Sequence, residues 1–280
     1  MNPVVNPISN LLLLNSGNQI SIDPNIALGD TFLTTNAKVR AYWNFTGIAG
    51  NDGDVLTSYN DLSLSGTWDL TNSVGANNPK LGKIQDGTDV VSCLRAKTAS
   101  TIREAFITTL PAVNLLKNSV ECHFLMKFED GQNASSNIFF GSSNGGTQFF
   151  RLRVTSTGRL QLEYAAAAAG LSTILSDTVV IENGETGVYL IRLRLDFTTD
   201  VVSGMVNGIP ITFSVSSGNA ISAWNPANWT SNTRECGIGG EWSGSFVADT
   251  STRKYILKSA VSDLLTSDEY LILAASFLNY

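Results

Sequence analysis

The chain carries one histidine, His123, and three cysteines, Cys93, Cys122 and Cys236. A Ser-His-Asp triad, a Cys-His dyad or a multi-histidine metal site would have to use that single imidazole. Residues 121–128 read Glu-Cys-His-Phe-Leu-Met-Lys-Phe. Their alternation puts Cys122, Phe124, Met126 and Phe128 on one face of a strand, and His123 on the other with Glu121, Lys127 and Glu129. We expect a partly solvated strand histidine with no catalytic role. The cysteines are odd in number, far apart and without a Cys-x-x-Cys pair, which argues against a disulfide framework or a zinc site. They read as small core hydrophobes.

Three other groupings could bind something. Asn51-Asp52-Gly53-Asp54 sets two carboxylates in a turn. With loop carbonyls, Asp52 and Asp54 could seed a calcium site, although Asp-Gly is also ordinary turn chemistry. Trp224-Asn225-Pro226-Ala227-Asn228-Trp229 offers two indoles and two amides, the composition of a sugar-stacking platform. Trp224, Trp229 and the weaker candidate Trp242 would stack on a sugar, while Asn225 and Asn228 would bind its hydroxyls. The competing reading has these tryptophans plugging the end of a sandwich. Finally, Arg151, Arg153, Arg192 and Arg194 point away from the apolar faces of their strands. If their two hairpins share a sheet, they form a positive stripe for an anionic glycan or another subunit. Otherwise they meet Glu121, Lys127 and Glu163 across a solvated face.

The elements that must position these residues are β-strands. Gln148–Thr155 alternates with Phe150, Leu152 and Val154 on one face, and Arg159–Tyr164 alternates after a Gly158 turn. Tyr189–Phe197 is apolar at every odd position, and Val201–Val206 follows it. Asn207-Gly208 then suits a type I′ turn, in which both central residues need positive φ. Pro210 lacks an N–H, so its strand belongs at an edge. Val179-Val180-Ile181 reads as the end of another strand before the turn residues Asn183-Gly184, and Ala165–Ala169 as a strand end. One helix stands out. Thr266-Ser267-Asp268-Glu269 is a capping box, followed by an apolar stripe of Tyr270, Leu271, Ala274, Phe277 and Leu278. Many short strands and one helix specify an all-β protein, a two-sheet antiparallel sandwich with a short C-terminal helix.

Composition bounds the function. Of the residues, 43% are hydrophobic, enough for a packed core, and only 15% are charged. Net charge is 18 − 24 = −6, against a nucleic-acid partner, since phosphate contact needs clustered Lys and Arg. The apolar run Leu11–Leu14 is too short to enter a membrane as a span. The start, Met1–Pro7, shows no positive region of a secretory leader. Residues 1–37 hold three of the seven prolines and almost no charge. They read as an N-terminal arm, with Ile8–Leu14 and Gln19–Ile22 as short strands or extended chain, ahead of a domain at 38–280. Three Asn-x-Ser/Thr triplets, at Asn44, Asn133 and Asn228, fit chance in a chain rich in these residues.

Four segments resemble a known family. Ala41-Tyr42-Trp43-Asn44-Phe45 with the later Asp61-Leu62-Ser63, Val188–Phe197 with Val206-Asn207-Gly208, Cys236-Gly237-Ile238-Gly239-Gly240, and Ile256–Leu265 before Thr266–Glu269 are similar to the concanavalin A-like lectin/glucanase superfamily, in particular its laminin-G-like jelly rolls. The resemblance covers about 38–280. It implies a jelly roll that binds glycans or proteins, of a kind also found in bacteriophage virion appendages. The glucanase members carry Glu-x-Asp-x-Glu on one strand, whose spacing suits retaining hydrolysis. That spacing is missing here: Glu121 and Glu129 are eight apart, and Asp196 and Asp200 sit at a strand end. We therefore expect no enzyme.

The expectation is a non-enzymatic virion structural protein, made in the host cytoplasm and homo-oligomeric. The arm would attach to other virion proteins and the domain would meet a cell-surface glycan. The alternative is a free, extracellular carbohydrate-binding lectin module; a glycoside hydrolase ranks below both.

Overall fold

The structure is a computed structural model. It describes residues 30–72, 78–86, 88–98, 103–132, 137–144, 148–166, 170–184, 187–218, 221, 234–243 and 252–280. The chain runs α1 (Thr31–Thr35), β1 (Val39–Asn44), β2 (Ser58–Tyr59), β3 (Leu70–Asn72), β4 (Lys80–Asp86) and β5 (Asp89–Thr98). It continues through β6 (Arg103–Glu104), β7 (Phe106–Pro111), α2 (Ala112–Leu116), β8 (Val120–Phe128), β9 (Asn137–Ser143), β10 (Phe149–Val154), β11 (Leu160–Ala166) and β12 (Gly170–Ser176). Then come β13 (Val188–Asp196), β14 (Val201–Val206), β15 (Ile209–Ile211), β16 (Phe213–Ser217), β17 (Glu235–Ile238), β18 (Glu241–Trp242), β19 (Lys254–Ser262) and α3 (Ser267–Leu278). Among the described residues, no helix is long and apolar enough to cross a membrane.

The strands form two sheets. One has nine strands in the order β15-β14-β13-β8-β19-β5-β4, with β1 beside β19 and β6 beside β5. The other has ten, in the order β16-β12-β11-β10-β9-β17-β7-β3-β2, with β18 beside β9. Pairing is antiparallel except for the short β9–β18 contact. The expected all-β antiparallel sandwich is what forms. Asn207 (φ 50°) and Gly208 (φ 78°) turn β14 into β15, which lies at a sheet edge where Pro210 leaves no inner ladder unfilled. Val179–Ile181, expected to end a strand, lies instead in the loop after β12. Its N–H groups at Val180 and Ile181 donate to the Gly158 carbonyl (2.9 and 3.0 Å). Ile181 is apolar because it plugs the core from that loop.

The inward faces of the two sheets close on each other. Phe124, Met126, Ile191, Leu193, Trp43 and Val261 come from the nine-stranded sheet; Phe140, Phe150, Leu152, Leu162, Tyr164 and Ile238 come from the other. Edge-to-face rings bridge the layers, with Phe124 5.0 Å from Phe139 and 5.5 Å from Phe140. Cys93, Cys122 and Cys236 are buried free thiols, pushed up out of the reactive range by burial.

A second apolar layer covers the outer face of the nine-stranded sheet. Leu33 of α1 and Tyr270, Leu273, Ala274 and Phe277 of α3 pack on Tyr42, Leu125, Leu190 and Ala260. The stripe differs from the expected one at Leu273, which is buried while Leu271 is only half-buried. The capping box forms: Glu269 N–H donates to Thr266 Oγ1 (3.3 Å) and Thr266 N–H to Glu269 Oε2 (2.8 Å). At the other end Lys258 Nζ donates to the Ser276 and Asn279 carbonyls (2.6 and 2.9 Å), which the helix itself leaves unpaired. Lys258 also reaches Asp30 (3.1 Å). Residues 30–37, expected to belong to the arm, thus pack on the domain through Asp30 and Leu33; residues 1–29, with both expected arm strands, lie outside the described residues.

This cover corrects the expectation for His123. Its face of β8 is not solvated, because α3 lies over it, and His123 is fully buried. Beside it Glu121 is 0% exposed. The Glu121 carboxylate accepts from Arg192 Nε and Nη2 (2.9 and 2.7 Å), Arg194 Nη1 (3.2 Å) and the Leu265 N–H at the entrance to α3 (3.1 Å). Arg192 also stacks on the Tyr270 ring, 4.0 Å from its centre. His123 Nε2 sits 3.2 Å from Ser262 Oγ and 3.4 Å from Glu121, while Nδ1 has no partner. Burial first, and the Arg192 charge second, lower the imidazole to about 3. Glu121 does not reverse this, because two guanidinium groups already neutralise it.

Two predictions follow from this layer. Glu121→Ala leaves two guanidinium groups without their shared carboxylate under the helix, so urea unfolding should show a loss of about 3–5 kcal/mol; a loss below ~1 kcal/mol would mean the charges are solvated. His123 is neutral when folded but titrates near its ordinary value when unfolded. Its contribution is complete above the unfolded pKa and falls as pH drops from there towards about 3, by up to about 1.4 kcal/mol per pH unit. His123→Gln should flatten that part of the stability–pH curve, and an unchanged slope would refute the assignment.

Candidate functional site

Among the described residues, α3 covers the outer face of the nine-stranded sheet, and no helix covers the outer face of the ten-stranded one. Cross-strand partners share a face, so the register names its residues. One row runs Thr173–Glu163–Arg151–Gly141–Gly237–Ile107–Thr71 across β12, β11, β10, β9, β17, β7 and β3. The central glycines remove side chains from the middle of the row. A Cβ on Gly141 would lie 2.7 Å from the Phe150 carbonyl and 3.0 Å from Arg151 Cβ. Glu241 and Trp242 of β18, paired with Gly141 and Ser142, bring their side chains to either side of this gap. Glu241 reaches Arg151, and Trp242 packs with Ala105 against Ile107.

The polar groups form one linked array. Arg151 Nε donates to Glu163 and Nη1 to Glu241 (3.0 Å), while its guanidinium lies 5.2 Å from the centre of the Phe149 ring. Arg153 donates to Glu163 (2.6 Å) and Gln161 (2.9 Å), and Gln161 Nε2 to the same Glu163 carboxylate (3.0 Å). Trp242 Nε1 donates to Glu235 (2.9 Å). Glu163 and Glu241 are only 5% and 3% exposed, whereas Arg151, Arg153, Gln161 and Glu235 remain half-exposed. Burial raises the Glu241 pKa against the pull of Arg151. Burial also opposes the Arg151 charge, but Glu241 and Glu163 outweigh it and hold the guanidinium more firmly protonated. Arg153, with a smaller share of the carboxylates, is lowered by burial. Two guanidinium groups face two carboxylates, Glu163 and Glu241, and counting Glu235 at the margin brings the sum to 2 − 3 = −1. Such an array presents fixed donors and acceptors whose angles do not have to be set on binding.

The expected site residues are distributed differently. Arg192 and Arg194 lie on β13 of the nine-stranded sheet, Arg151 and Arg153 on β10 of the other. The hairpins do not share a sheet, so no single positive stripe forms; alternation gives the face of a residue but not its sheet. Arg192 and Arg194 both meet the buried Glu121 carboxylate; Arg192 is largely covered by α3, while Arg194 stays a third exposed at its margin. Trp242 belongs to the array's margin and is nearly buried. Trp224, Asn225, Asn228 and Trp229 fall outside the described residues. The chain leaves the ten-stranded sheet from β16 at one edge and rejoins it at β17, beside β9. Asp52 accepts from Arg95 Nη1 (3.1 Å) and Lys83 N–H (3.2 Å), and Asp54 from Asn51 N–H (2.7 Å). These are turn and ion-pair contacts, and the described residues contain no group of three or more His, Cys, Asp or Glu able to hold a metal. Sequence reasoning missed Gly141, Gly237 and Glu235. Only the pairing register brings them to Arg151 and Trp242.

A second concavity, about 380 Å³ and open, lies beside β1, walled by Ala37, Val39, Leu64 and Trp68. Its one cation, Arg40, is bound to Asp263 (2.5 Å) and to the carbonyls of Leu115, Lys117 and Ser119 (2.7–3.2 Å).

No protein-family model matches the chain, and no curated protein sequence matches it. Solved structures do. The chain is similar to botulinum neurotoxin type C, whose passage into cells depends on two ganglioside molecules, with TM-score 0.56 and 10% identity over 86% of this chain and 52% of that one. It is similar to the binding domain of botulinum neurotoxin DC, solved with rat synaptotagmin II, with TM-score 0.55 and 10% identity over 87% of this chain and 52% of that one. This chain thus spans about half of each neurotoxin chain. A CBM40 module of a Ruminococcus gnavus sialidase, bound to α2,3-sialyllactose, aligns over 59% of this chain and 85% of its own at 17% identity and TM-score 0.44. At 10% identity, the neurotoxin likeness is one of fold alone: a two-sheet β-sandwich.

Arg151→Ala should strand Glu241 in a buried setting while Arg153 and Gln161 still hold Glu163, at a cost of about 3–5 kcal/mol. The Glu241 carboxylate, already raised, then rises further. Because a raised acid binds its proton more tightly when folded, the deficit should shrink as pH falls towards mildly acidic values. A deficit independent of pH would show that Glu241 does not depend on Arg151.

Proposed function

We propose that this protein is a carbohydrate-binding β-sandwich module, of laminin-G-like type, that holds a glycan on the outer face of its ten-stranded sheet. One observation carries the reading. Of the two outer faces, one is sealed by α3, and the other carries the linked Arg151, Arg153, Gln161, Glu163 and Glu241 array. Sugar hydroxyls both donate and accept, so they match a surface on which guanidinium, amide and carboxylate groups alternate at fixed spacing. The pairing of both guanidinium groups with carboxylates, which brings this five-residue array to 2 − 2 = 0, suits a neutral sugar better than an acidic one. Botulinum neurotoxin type C, whose passage into cells depends on gangliosides, shares the fold, which agrees with glycan binding, though gangliosides are acidic.

A hydrolase is disfavoured on this geometry. Glu163 and Glu241 do meet, from separate strands, but both are nearly excluded from solvent and bonded to the same guanidinium, which leaves neither carboxyl facing a scissile bond. We also favour the module over the virion appendage. That reading needs residues 1–37 as an attachment arm, and the stretch from Asp30 is bound to its own domain. An extracellular setting fits a glycan ligand.

A glycan array probed with the full chain should show neutral oligosaccharides bound, with little dependence on salt. Arg153→Ala together with Gln161→Ala should weaken that binding ~tenfold or more, since bonds to charged groups contribute about 1.5–3 kcal/mol each. A blank array, binding confined to acidic glycans, or a double variant that binds normally would each defeat the proposal.

A further inference from the structure

The chain contains three Asn-Gly pairs, at Asn144, Asn183 and Asn207. Gly145 lies outside the described residues; the other two pairs are held in opposite ways. Asn183 and Gly184 are both exposed, on the loop after Ile181. The Gly184 backbone N sits 2.9 Å from Asn183 Oδ1, so the side-chain amide of Asn183 is folded over the following peptide nitrogen. Among the described residues nothing lies within 4 Å of where a Gly184 Cβ would be, so no side chain crowds that glycine, whose N–H is shared at 3.3 Å with Asp130 Oδ1. At Asn207 the amide is turned away. Its Oδ1 accepts from Leu190 N–H (2.8 Å) and its own N–H donates to the Leu190 carbonyl (2.9 Å), pinning it across the hairpin above a buried Gly208.

We infer that Asn183 is a site of spontaneous deamidation, and that Asn207 is protected by its hairpin. Base removes the Gly184 N–H proton, and the nitrogen attacks Asn183 Cγ. The N–Cγ bond forms, the Cγ–Nδ2 bond breaks, and Nδ2 takes up a proton and leaves as ammonia. Water then adds to either carbonyl of the five-membered imide and opens it to aspartate or isoaspartate. In sum, an amide and water give a carboxylate and ammonia, with no redox change. The new carboxylate arrives beside Asp130, whose Oδ1 lies 3.3 Å from Gly184 N, and an isoaspartate lengthens the backbone where Gly131 N–H meets the Gly184 carbonyl (3.3 Å). Both outcomes loosen this rim of the sandwich.

The test is peptide mapping by mass spectrometry, with isoaspartate detection, on the full chain held at mildly alkaline pH. The native protein should convert at Asn183 at least ~tenfold faster than at Asn207, whose turn must first open. In urea the two sites should react at similar rates, and Asn183→Gln should abolish the native signal. Equal native rates, faster conversion at Asn207, or an Asn183 that reacts only in urea would overturn the inference.

Discussion

Glu121 holds its carboxylate where no water reaches it, and the architecture around it follows from that constraint. A desolvated carboxylate must be matched by donors. Arg192 and Arg194 come from the neighbouring strand, and the Leu265 N–H comes from the turn into α3. The same groups therefore tie strand to strand and sheet to helix. Arg192 then supplies a floor for Tyr270, and Lys258 closes the far end of the helix onto Asp30. One face of the sandwich is shut by charge as much as by apolar packing. The partnerless Nδ1 of His123 is among the groups that closure leaves unsatisfied, with the Tyr270 hydroxyl of the same layer.

The other face shows the same chemistry in a more open form. Arg151 joins Glu163 to Glu241, and Arg153 joins Glu163 to Gln161. Among the described residues no helix lies over these groups, and the guanidinium and amide edges stay partly exposed. Both outer faces carry Arg–Glu networks; the difference is that the shared carboxylate under α3, Glu121, is fully closed off, while Arg194 at its margin stays a third exposed.

Much of this was legible in the amino-acid order. Alternation located the hairpins, Asn207-Gly208 its turn type, Pro210 an edge, and Thr266–Glu269 the start of the helix. Each of these is a local rule, decided within a few residues. What failed to show needed long-range pairing. Period-two alternation separates Arg192 from Leu193 but does not reveal that Arg192 and Arg151 belong to different sheets. The solvated setting expected for His123 was overturned by a helix 150 positions later in the chain, roughly a whole sandwich away in sequence. The proposed glycan face depends on Gly141 and Gly237 being opposite each other, and neither glycine carries any signal alone. Val179–Ile181 looked like a strand because a core-plugging loop also wants branched apolar residues.

The central claim is that the exposed Arg153–Gln161 edge of the ten-stranded sheet contacts a glycan. It is tested most directly by mapping amide chemical shifts of the full chain on titration with the oligosaccharide bound best on an array. The account predicts perturbations concentrated on β10, β11 and β18, with the β8–β13 pair under α3 silent. Perturbations centred on α3 or on the groove beside β1, with the ten-stranded face unchanged, would contradict it.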